Sequence, residues 1–324
     1  MTAALCTAVL ATSHAFAWTT LSAPIMATRI DVTVEDPADA TVVFDVFRHV
    51  EATANEWRAD SPLGRVNAGA GGPPVPVPDD LAALLQAGLD LGALTGGAFD
   101  VSWAALWGLW DFDRAVLPDP REVAAHAAFV DYTRVELREG AVRLPDPGMR
   151  LGLGGIAKGW ALDLAAAALR ERGRTDFLLS AGGQVYAAGH HDGRPWRVGV
   201  RDPRGEPTES FAVLEVSDAS VSTSGDYERF FELNGTRYHH ILNPRTGWPA
   251  RDLRSATVIS ASATQADGLS TALFVLGPER GLALAESLPG VDAMTVDAEG
   301  HVGVTSTAPL VSMRRPGGAV PQAR

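Results

Sequence analysis

The chain has one cysteine in 324 residues, Cys6, so no intramolecular disulfide and no cysteine-based zinc site can form. Positive charge is also scarce. Against 39 Asp and Glu stand 27 Lys and Arg, a formal net charge of −12. That balance argues against nucleic acid or an anionic membrane as partner. An acidic chain that holds a phosphate ligand needs local help from a metal, a helix terminus or a few cations. No run is long and apolar enough to span a bilayer, so no transmembrane segment is expected. The N-terminus lacks the cationic start of an export signal, although residues 5–12 are mildly apolar and Ala15-Phe-Ala17 has the small-x-small form of a cleavage site. Residues 1–17 are expected to be a leader or an unstructured run-up, residues 18–313 one domain, and residues 314–324 a disordered tail. Internal repeats are lacking too.

What is present is ordinary globular composition, 46% hydrophobic and 20% charged, enough for a sizeable core. Alternation at Ile30, Val32 and Val34 marks residues 18–34 as extended. Val43, Val46, Phe47, Val50, Ala54 and Trp57 form one helical stripe that ends in the stretch 58–67. A Gly/Pro-rich surface crossing over 69–78 leads to a helix capped by Asp79, with Leu81, Leu84, Leu85 and Leu91 on its apolar face. Trp103, Trp107 and Trp110 read as core aromatics, Trp107 and Trp110 more firmly. A short helix over 121–128 and a hairpin over 135–144, turning at Glu139-Gly140, come next. From Phe177 onward strands dominate, with Tyr238 to Leu242 one of them, a further strand starting at Val258-Ile259, a helix over 266–276 and a closing hairpin within 291–305. The expected class is mixed α+β rather than regular βαβ.

The densest chemistry lies in Arg150-Leu-Gly-Leu-Gly-Gly-Ile-Ala-Lys-Gly-Trp-Ala-Leu-Asp163. Its glycines permit a tight loop, and Ile156, Trp160, Leu164 and Ala167 predict a helix directly after it. Such a helix start offers N–H groups and positive potential to an anion, and Lys158 adds a full charge. Gly152, Gly154 and Ala157 satisfy the dinucleotide pattern, yet the strand from Phe177 ends without the carboxylate that would hold a ribose. A Walker A loop is excluded, because Ala157 precedes the lysine and Gly159 follows it.

Asp267 and Thr271 lie one helical turn apart and offer hard oxygen ligands suited to Mg²⁺. The competing reading is that Asp267 merely caps a helix or decorates its first turn. In His239-His-Ile-Leu-Asn-Pro-Arg-Thr-Gly247 only one of two adjacent strand histidines can face a given site. A shared metal on His239 and His240 is the weaker alternative.

Taken in order, these stretches resemble the ApbE family, the Mg²⁺-dependent FAD:protein FMN transferases. The likeness runs from about Pro24 to Gly277. It is carried by Ile25-Met-Ala-Thr28, Trp57-Arg-Ala-Asp-Ser61 with Asn67, Thr95-Gly-Gly-Ala-Phe-Asp100 and Gly154-Gly-Ile-Ala-Lys-Gly159. Ser222-Thr-Ser-Gly-Asp-Tyr227, His240-Ile-Leu-Asn-Pro-Arg-Thr-Gly247 and Ala266-Asp-Gly-Leu-Ser-Thr271 complete it. The resemblance implies a two-lobed, T-fold-like α+β architecture of mixed sheets and helices, with FAD in a cleft between the lobes. It implies that Met26, Trp57, Ala98, Phe99, Asp100 and Lys158 contact FAD, and that Asp267, Thr271 and the Gly155 carbonyl hold Mg²⁺. FMN would pass from FAD to a Thr or Ser hydroxyl of an acceptor flavoprotein, releasing AMP, with Lys158 stabilising phosphate charge and His240 as base. The alternatives are an Mg²⁺-dependent FAD pyrophosphatase giving FMN and AMP, and a non-catalytic FAD-binding protein. Trp57 and Phe99 would pack on a ring of FAD, although Trp57 equally completes the helix stripe. Three positions depart from the family pattern. Gly152 stands in place of an acidic residue, Ala27 in place of glycine and Asn243 in place of aspartate. Members of the family are often exported, which together with Ala15-Phe-Ala17 points to the exported or periplasmic side.

Overall fold

The computed structural model describes residues 18–317; the leader expected over 1–17, with Cys6, and the end of the tail lie outside the described residues. Strands β1 (Thr19–Ile25) and β2 (Thr28–Val34) pair antiparallel, with Ile25 opposite Thr28. The extended segment expected over 18–34 is therefore a hairpin, with Met26 and Ala27 as its two-residue turn. Both turn residues sit at positive φ, +55° and +54°, the pair of values a tight hairpin turn of this hand requires.

Helix α1 (Asp39–Ala54) buries Val43, Phe47 and Val50 and stops at Ala54. Trp57 lies beyond the helix and off its stripe. The stretch 58–67 then holds a helix that apolar periodicity did not reveal, α2 (Pro62–Ala68). Ser61 caps it by accepting the Gly64 N–H at 2.8 Å, and Pro62 occupies the first turn, where no donor is needed. The 69–78 crossing contains β3 (Val75–Pro76). Pro78 holds the cap position of α3 (Asp79–Leu94), so the expected cap Asp79 falls inside the first turn. A 3₁₀ turn over 101–106, α4 (Pro120–Ala127), β4 (Glu136–Arg138) and β5 (Ala141–Arg143) follow.

Helix α5 (Ala157–Glu171) opens directly after the glycine loop, as the sequence predicts, but its buried face is Ala161, Leu162, Ala165, Ala166 and Leu169 rather than the bulkier stripe through Trp160 and Leu164. Small side chains win because α5 is wedged against both α1 and α6 (Ala263–Leu276). Between these helices run β6 (Phe177–Ala181), β7 (Gln184–Ala188), β8 (Trp196–Arg201), β9 (Ser210–Val216), β10 (Ala219–Gly225), β11 (Phe230–Leu233), β12 (Thr236–His239) and β13 (Leu253–Ser260). The strand expected from Tyr238 to Leu242 is thus β12, ending at His239, and Val258-Ile259 closes β13 instead of starting it. After α6 come α7 (Pro278–Ser287), which the sequence reading missed, then β14 (Val291–Asp297), β15 (Val302–Val304) and β16 (Leu310–Met313).

The main sheet has eight antiparallel strands in the order β1-β2-β6-β7-β10-β13-β14-β15. Its period-2 alternation serves two cores. Ala256 and Val258 of β13 and Val291 and Ala293 of β14 face the helical layer of α1, α5 and α6. Their neighbours Ile259, Met294 and Val296 face Trp196, Val198, Phe211 and Leu214 of the smaller sheet β16-β9-β8. The expected mixed α+β fold is thus three layers, helices over a large sheet over a small one. The chain stays packed past residue 313. Arg314 pairs with buried Asp202 at 2.9 Å, and Gly317 donates its N–H to the same carboxylate. Residues 314–317 are therefore held in place, contrary to the tail boundary expected.

Candidate active site

The meeting of α5 and α6 is built on one glycine. A Cβ at position 159 would lie 2.2 Å from the Ala263 carbonyl oxygen, so no other residue permits the approach. The two helices then exchange carboxylates. Asp163 of α5 accepts from Ser262 Oγ at 2.9 Å, Ala263 N at 2.7 Å, Thr264 N at 2.9 Å and Thr264 Oγ1 at 2.6 Å, satisfying the start of α6. Asp267 of α6 accepts the Gly159 N–H of α5 at 3.0 Å. It does not cap its own helix, whose cap is Ser262.

Lys158 Nζ donates to the Gly154 carbonyl at 3.1 Å and stands 3.7 Å from Asp267 Oδ2. Thr271 Oγ1 lies 3.2 Å from Ser224 Oγ, which also meets Ser270 Oγ at 2.9 Å, so the Thr-Ser-Gly-Asp-Tyr stretch of β10 backs the same face of α6. Gly155 completes the group. A Cβ there would sit 3.6 Å from Thr271 Oγ1 and 3.2 Å from Phe99 Cε2. Lys158, Asp267, Thr271, Gly155 and Phe99 are thus brought together.

Asp100 is differently placed. One carboxylate oxygen takes the Ser102 N–H and hydroxyl, and the other the Tyr132 N–H. Burial raises its pKa against those bonds. Its carboxylate therefore holds the 100–102 and 131–132 backbone in shape. Ala98 and Phe99 are buried beside it. Gly152 has a local cause: a Cβ there would fall 2.8 Å from Trp103 Nε1 and 3.0 Å from the Ala104 Cβ. Trp103, which donates to the Gly152 carbonyl at 3.0 Å, fills the space that an acidic side chain would need.

The two histidines diverge as strand alternation requires. His239 is buried, with Nε2 on the Ala250 carbonyl at 2.6 Å and Nδ1 accepting the Ile241 N–H, so it has no nitrogen left for a shared ion. His240, one residue past β12, is exposed. Partial desolvation, His239 and the charges of Lys158 and Arg229 push its pKa down to about 4, and a hydrogen bond to the Arg229 backbone offsets part of this. Solvent screens some of the shift, but its direction stands, and the imidazole is neutral at pH 7. Asn243 accepts the Arg245 N–H at 3.0 Å, an acceptor role that aspartate would fill equally. Arg245 in turn reaches the Gly96 carbonyl at 3.0 Å and ties this loop to the 95–100 segment.

Aromatic residues form the outer rim. Trp57 is 54% exposed and meets Trp107 edge to face at 4.4 Å, with Arg150 over the Trp107 ring. Trp107 is exposed and Trp110 half-buried, so the core assignment fails for both. Met26 is half-buried at its hairpin turn, its N–H held by Glu51 at 2.9 Å.

Two residues were missed. Asp163 closes the stretch 150–163, but its partners are a hundred positions away. Glu56, next to Trp57, brings Oε1 within 3.5 Å of where a Gly154 Cβ would stand. Burial raises its pKa, while backbone N–H groups of its own residue, Gly154 and Leu153 and the charge of Lys158 pull it back. Its sequence signal was only a carboxylate beside a site aromatic. In a second group, Asp297, Glu299 and His301, the last two are exposed, and half-buried Asp297 already takes the N–H groups of Glu299 and His301 in a hairpin turn.

A sequence model of the ApbE family matches residues 26–295. The FAD:protein FMN transferase of Treponema pallidum is 40% identical over 273 residues, 78% of this chain and 75% of that protein. The FAD:protein FMN transferase of Vibrio cholerae is 32% identical over 82% and 84%. Among solved structures, the ApbE protein of Thermotoga maritima aligns over 90% of this chain and 98% of its own, with a TM-score of 0.82 at 30% identity. The flavin transferase ApbE of Vibrio cholerae aligns over the same shares with a TM-score of 0.80 at 28% identity.

Proposed function

The chain belongs to the ApbE family, and from that premise we propose that it is a Mg²⁺-dependent FAD:protein FMN transferase acting on a Thr or Ser hydroxyl of an acceptor flavoprotein. The observation that carries this is the convergence of Asp267, Thr271, Gly155 and Lys158 where α5 crosses α6. The donor set fits the ion: a carboxylate, a hydroxyl and a backbone carbonyl are all hard oxygens, and Asp267, 7% exposed at its side chain, has Lys158 as its ion-pair partner. When bound, Mg²⁺ would supply positive charge to the pyrophosphate oxygens of FAD.

The chain's own groups account for the remainder. The acceptor oxygen attacks the FMN-side phosphorus, the bond from that phosphorus to the bridging oxygen breaks, and AMP leaves with that oxygen. Lys158 holds the growing negative charge on the transferred phosphate. His240, neutral at pH 7, takes the hydroxyl proton. Bound pyrophosphate favours the imidazolium, so FAD raises the His240 pKa and makes it a better base within the complex. Trp57 offers a ring face to FAD from the rim, Met26 flanks it, and buried Phe99 supports the glycine loop with Ala98 and Asp100 behind it.

The test is to incubate the protein with FAD, Mg²⁺ and an acceptor domain and to weigh every product. The acceptor should gain FMN less one water while AMP appears in equal amount. Free FMN and AMP with an unlabelled acceptor would instead identify a pyrophosphatase, and intact FAD throughout a binding protein.

A further inference from the structure

Lys158 is the single lysine of the chain; the other cations among its 27 Lys and Arg are arginines. An arginine fork is planar and delocalised, whereas an ammonium is a compact point charge with three donors, much closer to a small metal cation in what it demands of its surroundings. The place where this ammonium sits is informative. It bridges a glycine-loop carbonyl, Gly154 O at 3.1 Å, and the Asp267 carboxylate at 3.7 Å. Those are two of the kinds of donor that the proposed ion would take, a loop carbonyl from the adjacent Gly155 and the Asp267 carboxylate. Asp267 is nearly enclosed, and a carboxylate so withdrawn from water needs a cation beside it. The Lys158 side chain keeps 26% of its surface in solvent on a flexible stem, so it can leave.

We propose that Lys158 is the stand-in cation of Asp267 in the metal-free protein, and that Mg²⁺ and the ammonium compete for that carboxylate. Metal entry then releases Lys158 from Asp267 and turns it toward the pyrophosphate. Loading of the ion and readiness to bind phosphate are coupled through one side chain, and the coupling is reciprocal. Here Lys158 is the ion's competitor at Asp267 as well as a contact for FAD. This rests on the metal site proposed above, so the measurement is made without FAD and without turnover.

Mg²⁺ binding is measured by calorimetry on wild type and Lys158→Met. Competition predicts that the variant binds Mg²⁺ more tightly, by about fivefold or more, and that its metal-free form melts lower than wild type because Asp267 has lost its counter-charge. A variant that binds Mg²⁺ equally or more weakly overturns the proposal while leaving the metal site standing. No Mg²⁺ binding in either protein removes both. The lone lysine supplies a second readout. After reductive ¹³C-methylation, the one side-chain signal should move on Mg²⁺ addition, and in Asp267→Asn it should lie displaced from the start and ignore Mg²⁺. A wild-type signal indifferent to Mg²⁺ overturns the proposal independently of how the methionine variant behaves.

Discussion

The crossing of α5 and α6 and the aromatic rim are built on opposite terms. At the crossing, each polar group is fixed by partners on another element: Asp267 by Gly159, Asp163 by the start of α6, Thr271 by Ser224. Elsewhere, Trp57 and Trp107 are exposed and hold mainly to each other, and Met26 and Ala27 form the β1–β2 turn at positive φ. Stabilising charge on a phosphate demands groups that need not reorganise during the reaction. Holding a ring demands contact area, which exposed aromatics can give. The backbone and carboxylates of the crossing are thus fixed by cross-element bonds, with Lys158 the flexible group among them, whereas the exposed tryptophans lean on each other.

The strongest way to break that contrast is to unseat the crossing. Gly159→Ala places a methyl 2.2 Å from the Ala263 carbonyl. It should cost more than about 3 kcal/mol, at the severe end of overpacking, and abolish transfer; thermal melting and an activity assay read both. A chemical change at the same centre comes next. His240→Ala should lower kcat about a hundredfold or more with FAD affinity nearly unchanged, as stopped-flow and equilibrium titration would show. The pH dependence follows from the depressed pKa. Wild-type kcat/KM, which reports free enzyme, should stay level from pH 7 well below the usual histidine value, falling only as His240 protonates toward about 4. The acid limb of kcat should lie higher, since bound pyrophosphate favours the imidazolium.

Smaller effects sharpen the comparison. Ala27→Gly should stabilise the β1–β2 turn by about 1 kcal/mol, because alanine pays for left-handed backbone that glycine adopts freely. Chemical denaturation would measure it, and FAD turnover at saturation should not move. Glu56→Gln tests the border between the regions. The raised pKa means that the folded protein resists ionising Glu56, so the neutral variant should melt higher at pH 7. That gain should shrink as the pH falls through the raised pKa of wild-type Glu56 and be gone below the ordinary carboxyl range.

Sequence alone disclosed the elements whose burial is continuous and periodic. The faces of α1 and α3 and the hairpin at Glu139-Gly140 were legible because local pattern and local geometry agree. Helix α2 was not, being seven residues long and recognisable only once Ser61 is seen to cap it. The buried face of α5 was misplaced because alanines carry little hydrophobic signal, yet close packing on α1 and α6 selects them. Residue type alone drew Trp107 and Trp110 into the expected core, whereas their neighbours leave Trp107 exposed and Trp110 half-buried. Of the site, Lys158, Asp267 and Thr271 were legible by spacing and resemblance. Asp163 and Glu56 were not, since what they do depends on backbone brought in from far along the chain.

The central claim is that the crossing carries the reaction and the rim only grips the substrate. Its most direct test weighs the acceptor after timed incubation with wild type, Asp267→Asn and Trp57→Ala over a range of FAD concentrations. Loss of FMN transfer in Asp267→Asn at every FAD concentration, with Trp57→Ala recovering as FAD saturates, is the predicted result. An active Asp267→Asn, or a Trp57→Ala that stays inactive at saturating FAD, would contradict the account.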